Sequence, residues 1–139
     1  MSTNAILCPL LAMAVLSFIV WITMFVRRVG EMRRRRIDIE RLATTAEVAS
    51  LLEDRRAADN FRNLFELPVL FYAATLAALA TGAVDAILVG LAWAFVGFRC
   101  LHSLVHCGYN RVMHRFLAYL LASLALWAMW IRLAIAWFA

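Results

Sequence analysis

The feature that most restricts the fold is an apolar segment near the start of the chain, from Ala5 to Val26, which contains no charged side chain. A segment of 22 residues is long enough to cross the hydrocarbon core of a bilayer, about 30 Å thick, as one α-helix. No basic region precedes it, and Arg27-Arg28 follow it in place of a small-residue cleavage site. We therefore interpret it as a retained membrane helix and not as a cleaved signal peptide.

Three further apolar segments have the same character. Hydrophobic residues make up 65% of the 139-residue chain, well above the roughly 45–50% of soluble domains. The sequence predicts an all-α, integral membrane four-helix bundle in a single domain, residues 1–139, with spans at about 5–26, 60–82, 86–107 and 114–138. The short Gly82–Asp85 turn makes the second and third helices antiparallel neighbours. We predict that the connection 27–59 is an interfacial or partly helical loop.

The basic residues predict the orientation of the bundle. All fourteen are arginines, and most of them lie in the connection 27–59. The positive-inside rule makes this loop cytoplasmic and places both termini on the opposite side. We expect the protein to lie in a bacterial inner membrane, with both termini in the periplasm. We attribute the arginine run Arg33–Arg36 to contact with anionic headgroups, and we expect no nucleic-acid partner.

Residue types that form disulfides or bind metals are present, but their arrangement does not favour either role. Cys8, Cys100 and Cys107 all lie in apolar segments, so we expect buried, inert thiols. His102 and His106 are four residues apart on one helix. They have no acidic ligand beside them, and Arg99 would repel a cation, so we predict no metal site.

Polar residues recur on the second, third and fourth predicted helices at a similar depth. Because a charge inside a membrane persists only when it is paired or faces the bundle interior, we predict an ion pair between Glu66 and Arg99. One interpretation of the whole set is a polar cluster that only locks the bundle. The other, which we favour, is a pocket for an anionic or zwitterionic ligand. Each helix carries its set on one face, and the three sets are Asp59, Asn63 and Glu66; Arg99, His102 and His106; Arg115, Tyr119 and Ser123.

These residues resemble the MAPEG superfamily, the membrane-associated proteins in eicosanoid and glutathione metabolism. The resemblance lies in Arg62-Asn63-Leu-Phe-Glu66-Leu-Pro68, in Arg99-x-x-His102 and in Arg115-x-x-x-Tyr119, and it covers essentially the whole chain. It implies a homotrimer that binds glutathione between neighbouring protomers. It also implies a glutathione-binding set, with Glu66 at the amino group of glutathione, and a catalytic set that stabilises the thiolate. The binding set is Asn63, Glu66, Arg99, His102 and Tyr119, and the catalytic set is Arg115 and His106.

Two positions depart from the family pattern. His106 stands where prostaglandin- and leukotriene-type members have a tyrosine, and Asp59 stands where some synthases have an arginine. The thiolate activator is therefore left open between Arg115 and His106. The resemblance implies a glutathione-dependent membrane transferase or peroxidase, with a lipophilic electrophile that enters from the lipid. The alternative is a non-catalytic lipid-binding or scaffold protein, because the family includes the lipoxygenase-activating protein.

Overall fold

The computed structural model describes residues 3–138 and is all-helical over that range. Four of its helical segments, Asn4–Arg35, Arg56–Thr81, Ala86–Cys107 and Val112–Phe138, are long and apolar enough to cross a membrane, which confirms the predicted four-helix membrane fold. Short 3-10 helices cover Thr3–Ile6 and Ile39–Leu42. The α-helices are α1 (Leu7–Arg35), α2 (Thr45–Leu51), α3 (Arg56–Asn63), α4 (Leu67–Thr81), α5 (Ala86–Cys107) and α6 (Val112–Phe138).

The first helix is longer than the apolar segment that predicted it. It continues through the first arginines of the connection and ends at Arg35, and the capping residue Arg36 has a left-handed φ of 53°. Inside this extension Glu31 is buried. It pairs with Arg35 at 3.0 Å and accepts hydrogen bonds from the backbone N–H groups of Glu53 (2.8 Å) and Asp54 (3.3 Å). These bonds attach the extension to the segment that leads into α3. The predicted loop 27–59 therefore has α1 at its start and α3 at its end, with an irregular, partly helical segment between them.

The second span is interrupted, where the sequence predicts one continuous helix. The last residue of α3 is Asn63 and the first of α4 is Leu67. Pro68 explains the break, because proline has no N–H to donate to the residue four positions earlier and its ring clashes with that carbonyl. Glu66 lies in the break with φ −97° and ψ −103°. The prediction that Asp59, Asn63 and Glu66 share one helical face was therefore wrong.

The core of the bundle lies between α1, α4, α5 and α6. Phe71 of α4 and Phe95 of α5 are fully buried and stacked, with ring centroids 4.6 Å apart. Buried alanines such as Ala92 and Ala122 let the helices approach closely. Many large apolar side chains, among them Leu104, are exposed on the outside of the bundle, as expected for a surface that meets lipid.

The two ends of the bundle are fastened by polar contacts. At the turn between α4 and α5, Asp85 accepts from the N–H of Leu88 at 2.7 Å and from Arg132 Nε of α6 at 2.8 Å. At the other end, which we call the basic end because it carries the arginine-rich connection, Arg56 donates to the carbonyl of Gly108 at 2.8 Å. The candidate site lies at the basic end.

The cysteines are free, as the sequence predicts, but they are less buried than expected. Cys8 is exposed, and Cys100 and Cys107 are partly buried.

Candidate functional site

A cleft of about 300 Å³ opens at the basic end, between the break that separates α3 from α4 and the start of α6. Five of its lining residues belong to the predicted site, so the structure brings together most of what the resemblance implies. Its lining is Asn63, Glu66, His102, Val112, Arg115, Phe116 and Tyr119.

Arg99 lies behind the cleft and is fully buried. Its Nη2 donates to the backbone carbonyl of Asn63 at 3.0 Å. The last carbonyls of a helix lack intrahelical partners, and the break after α3 leaves this one for Arg99 to satisfy. The guanidinium carbon of Arg99 also lies 5.9 Å from the ring centroid of Tyr119, within the range of a cation–π interaction. Arg99 therefore contacts two cleft residues without lining the cleft itself.

Two guanidinium nitrogens of Arg99 have no hydrogen-bond partner in the described chain. These are Nε and Nη1, and both are buried. Buried donors without a partner are rare and costly, so an acceptor that reached these nitrogens would stabilise the protein.

The predicted Glu66–Arg99 ion pair does not form within the described chain: no ion pair of Glu66 within 4.0 Å is found there. The prediction assumed an unbroken helix that would carry Glu66 inward. The break before Pro68 leaves the Glu66 side chain exposed at the cleft instead. Asp59, the other acidic residue of this set, lies 3.8 Å from Arg55 and so has a structural partner.

His102 connects α5 to the first turns of α6. Its Nδ1 lies 3.1 Å from the backbone carbonyl oxygen of Arg115. Because a carbonyl only accepts, Nδ1 carries the proton in this contact. Its Nε2 is buried and has no partner among the described residues. The imidazole therefore fixes the main chain at Arg115, and its second nitrogen is free to bind a ligand.

Arg115 lines the cleft and is half-buried. Its Nη1 donates to the side-chain Oδ1 of Asn110 at 2.8 Å. Asn110 is a site residue that the sequence analysis missed, because it lies between the third and fourth predicted spans. The available signal was a neutral amide five residues before the proposed catalytic arginine, in a turn.

His106 does not line the cleft. It is buried one turn further along α5, with its ring centroid 5.4 Å from that of His102 in an edge-on contact. Its Nδ1 has no hydrogen-bond partner among the described residues. The sequence left two candidates for the thiolate activator, Arg115 and His106. Of these two, only Arg115 lines the cleft. Within the described part of the chain, no group of three or more His, Cys, Asp or Glu side chains is placed to hold a metal ion.

One comparison with known proteins, that with protein families, finds a match. The MAPEG family model matches residues 6–135, nearly the whole chain. No curated protein and no solved structure matches the sequence. The match extends across all four spans and the residues that line the cleft, and on this basis the chain belongs to the MAPEG family.

Proposed function

We propose that this protein is a glutathione-dependent membrane transferase or peroxidase that acts on a lipophilic electrophile. Membership of the MAPEG family supports a membrane function related to glutathione or eicosanoid metabolism in general. The observation that carries the finer proposal is the cleft, in which an acidic side chain and an arginine face the same space beside two unused donors of Arg99.

This set of groups suits a zwitterionic peptide. Glu66 is an exposed carboxylate without an ion-pair partner in the described chain, and it matches the amino group of glutathione. The spare N–H groups of Arg99 match carboxylate oxygens, because a guanidinium donates charge-assisted hydrogen bonds to such acceptors. A bound carboxylate would also satisfy the buried donors, so the same contacts stabilise both the protein and the complex.

Arg115 supplies the chemistry in this proposal. Its positive charge beside the sulfur favours the thiolate over the thiol, so the thiol proton is released to solvent near neutral pH. The thiolate lone pair then forms the S–C bond to the electrophile while the bond to the leaving group breaks with its electron pair. Phe116 and Val112 provide an apolar wall to the cleft, and we propose that the electrophile enters along it from the lipid, between protomers of a homotrimer.

Ultraviolet difference spectroscopy tests this function, because a thiolate absorbs more strongly than a thiol in the near ultraviolet. Glutathione added to the detergent-purified protein at neutral pH should raise the absorbance. Arg115→Ala should abolish the rise, and Arg115→Lys should retain part of it, since the charge survives while the fork geometry is lost. His106→Phe should reduce it only partly. Arg111→Ala is the matched control, because Arg111 is exposed next to α6 and does not line the cleft.

A wild-type protein that binds glutathione without a thiolate signal, or does not bind it, would refute the enzymatic proposal.

The second candidate is then a lipid-binding protein. An apolar groove of about 480 Å³ between α1 and α5 favours it, with Ile19, Val20 and Leu104 in its wall and Arg27 also in its lining. Under that candidate, lipid should copurify with the protein.

A further inference from the structure

The turn between α5 and α6 holds Asn110 in an unusual conformation. Its φ is 52°, in the left-handed region that few residues other than glycine adopt. Asparagine is among the side chains that tolerate this region best. The backbone N–H of Asn110 donates to the carbonyl of Val105 at 2.8 Å, so the left-handed residue also closes the end of α5.

The same conformation brings the Asn110 side chain to Arg115. Oδ1 of Asn110 accepts from Nη1 of Arg115 at 2.8 Å. Since a guanidinium only donates, the amide oxygen and not its nitrogen must face Arg115. Nδ1 of His102 donates to the main-chain carbonyl of Arg115 at 3.1 Å. Arg115 is therefore fixed at two points, one on its backbone and one on its guanidinium.

The chemical nature of the acceptor decides what this contact can do. An aspartate in the place of Asn110 would pair with Arg115 and neutralise most of its field at the cleft. A neutral amide accepts one hydrogen bond and leaves the full positive charge, together with the remaining guanidinium N–H groups, for a ligand. The arrangement orients the arginine without neutralising it.

We propose that Asn110 is a positioning residue that fixes the guanidinium of Arg115 at the mouth of the cleft and leaves its charge uncompensated. The chemical consequence of this role, a lowered pKa of a bound thiol, rests on the proposed function. The orientation of Arg115 does not, and it can be measured without any ligand.

The variant Asn110→Gly tests the contact, because glycine adopts a positive φ freely and lacks the acceptor. In the ligand-free protein, modification of arginine by phenylglyoxal, followed by peptide mass spectrometry, should proceed several-fold faster at Arg115 in this variant than in the wild type. Modification of exposed Arg111 should be unchanged and serves as the internal reference. An unchanged thermal midpoint shows that the variant is folded. Equal modification of Arg115 in both proteins would overturn the proposal.

The thiolate titration tests the consequence. In Asn110→Gly the pH midpoint of the glutathione absorbance rise should move up by about one unit, because a mobile charge lowers the pKa of the thiol less than a fixed one. Asn110→Asp should keep Arg115 as unreactive as in the wild type and still raise the midpoint, since the carboxylate compensates the charge. An unmoved midpoint in both variants would contradict the positioning role. If the wild type shows no glutathione absorbance rise, the proposed function is refuted. If Arg115 is nevertheless modified faster in Asn110→Gly, the positioning of Arg115 by Asn110 is still supported.

Discussion

Replacement of Arg99 by methionine distinguishes the contacts of the structure from the ion pair that the sequence predicts. Methionine has a similar length, is apolar and fills irregular space. If Arg99 paired with a buried carboxylate, its removal would cost roughly 3–5 kcal/mol, since the partner would be left as an unpaired buried charge. The structure shows a different situation, in which Arg99 is itself the group with unsatisfied donors.

The expected magnitude follows from the contacts. Removal of the two buried, unpartnered donor nitrogens, Nε and Nη1, should raise the free energy of unfolding by about 1–3 kcal/mol each. Against this, the charged hydrogen bond to the carbonyl of Asn63, 3.0 Å long, is worth about 1.5–3 kcal/mol. The cation–π contact with Tyr119 adds about 0.5–2 kcal/mol. The terms nearly cancel, so we expect the free energy of unfolding of Arg99→Met without ligand to lie within about 2 kcal/mol of wild type.

The assay is equilibrium unfolding in mixed micelles of a mild detergent and dodecyl sulfate, followed by the fluorescence of the five tryptophans. Arg132→Met is the matched control, because Arg132 does pair with a carboxylate, that of Asp85, and its loss should lower stability. A loss of 3–5 kcal/mol in Arg99→Met, together with non-additive effects when it is combined with Glu66→Gln, would show that Arg99 and Glu66 meet and would refute this reasoning.

Three further predictions concern the two ends of the bundle. Gly108→Ala should lower the thermal midpoint, because a Cβ there would lie 2.7 Å from the backbone carbonyl oxygen of Leu104; an unchanged midpoint would show that the turn can shift without cost. The pKa of Asp85 is held below its ordinary value by the N–H at the start of α5 and then by Arg132, so its stabilising contribution should be present at neutral pH and be lost as the pH falls below about 4. Unfolding measured against pH should show that loss in the wild type and not in Asp85→Asn, and equal profiles would contradict it. Cysteines substituted at Arg33–Arg36 should be labelled only from the cytoplasmic side, and labelling from outside the cell would reverse the predicted topology.

The sequence predicts the four spans well because membrane insertion depends on the length and apolarity of each segment, both of which are local properties. It does not predict the break between α3 and α4 or the length of α1. Both differences have physical causes, and the sequence shows part of the first one. Pro68 signals a break, but whether a proline kinks a helix or ends it depends on the packing around it. The extension of α1 to Arg35 depends on Glu31 meeting the N–H groups of Glu53 and Asp54, which lie more than twenty residues away in the chain.

For the candidate site, the sequence predicts residue types and their approximate depth but not their partners. Asn63, Glu66, His102, Arg115 and Tyr119 line one cleft, although the break between α3 and α4 removes the common helical face predicted for Asn63 and Glu66. The partner of Arg99 is a backbone carbonyl freed by the helix break, and no side-chain pattern encodes that contact. The contact between Asn110 and Arg115 depends on a single left-handed residue.

A thermal-shift titration of the purified protein with glutathione tests the central claim, that the cleft beside Arg99 binds this tripeptide. A ligand that binds only the folded state stabilises it by RT ln(1 + [L]/Kd), about 2.7 kcal/mol at a concentration of 100 Kd. The wild type should therefore show a midpoint that rises steadily with glutathione. Arg99→Met should start near the same midpoint and show little rise, because it lacks the buried donors that match a carboxylate. A wild-type midpoint that does not move, or an equal rise in both proteins, would contradict the account.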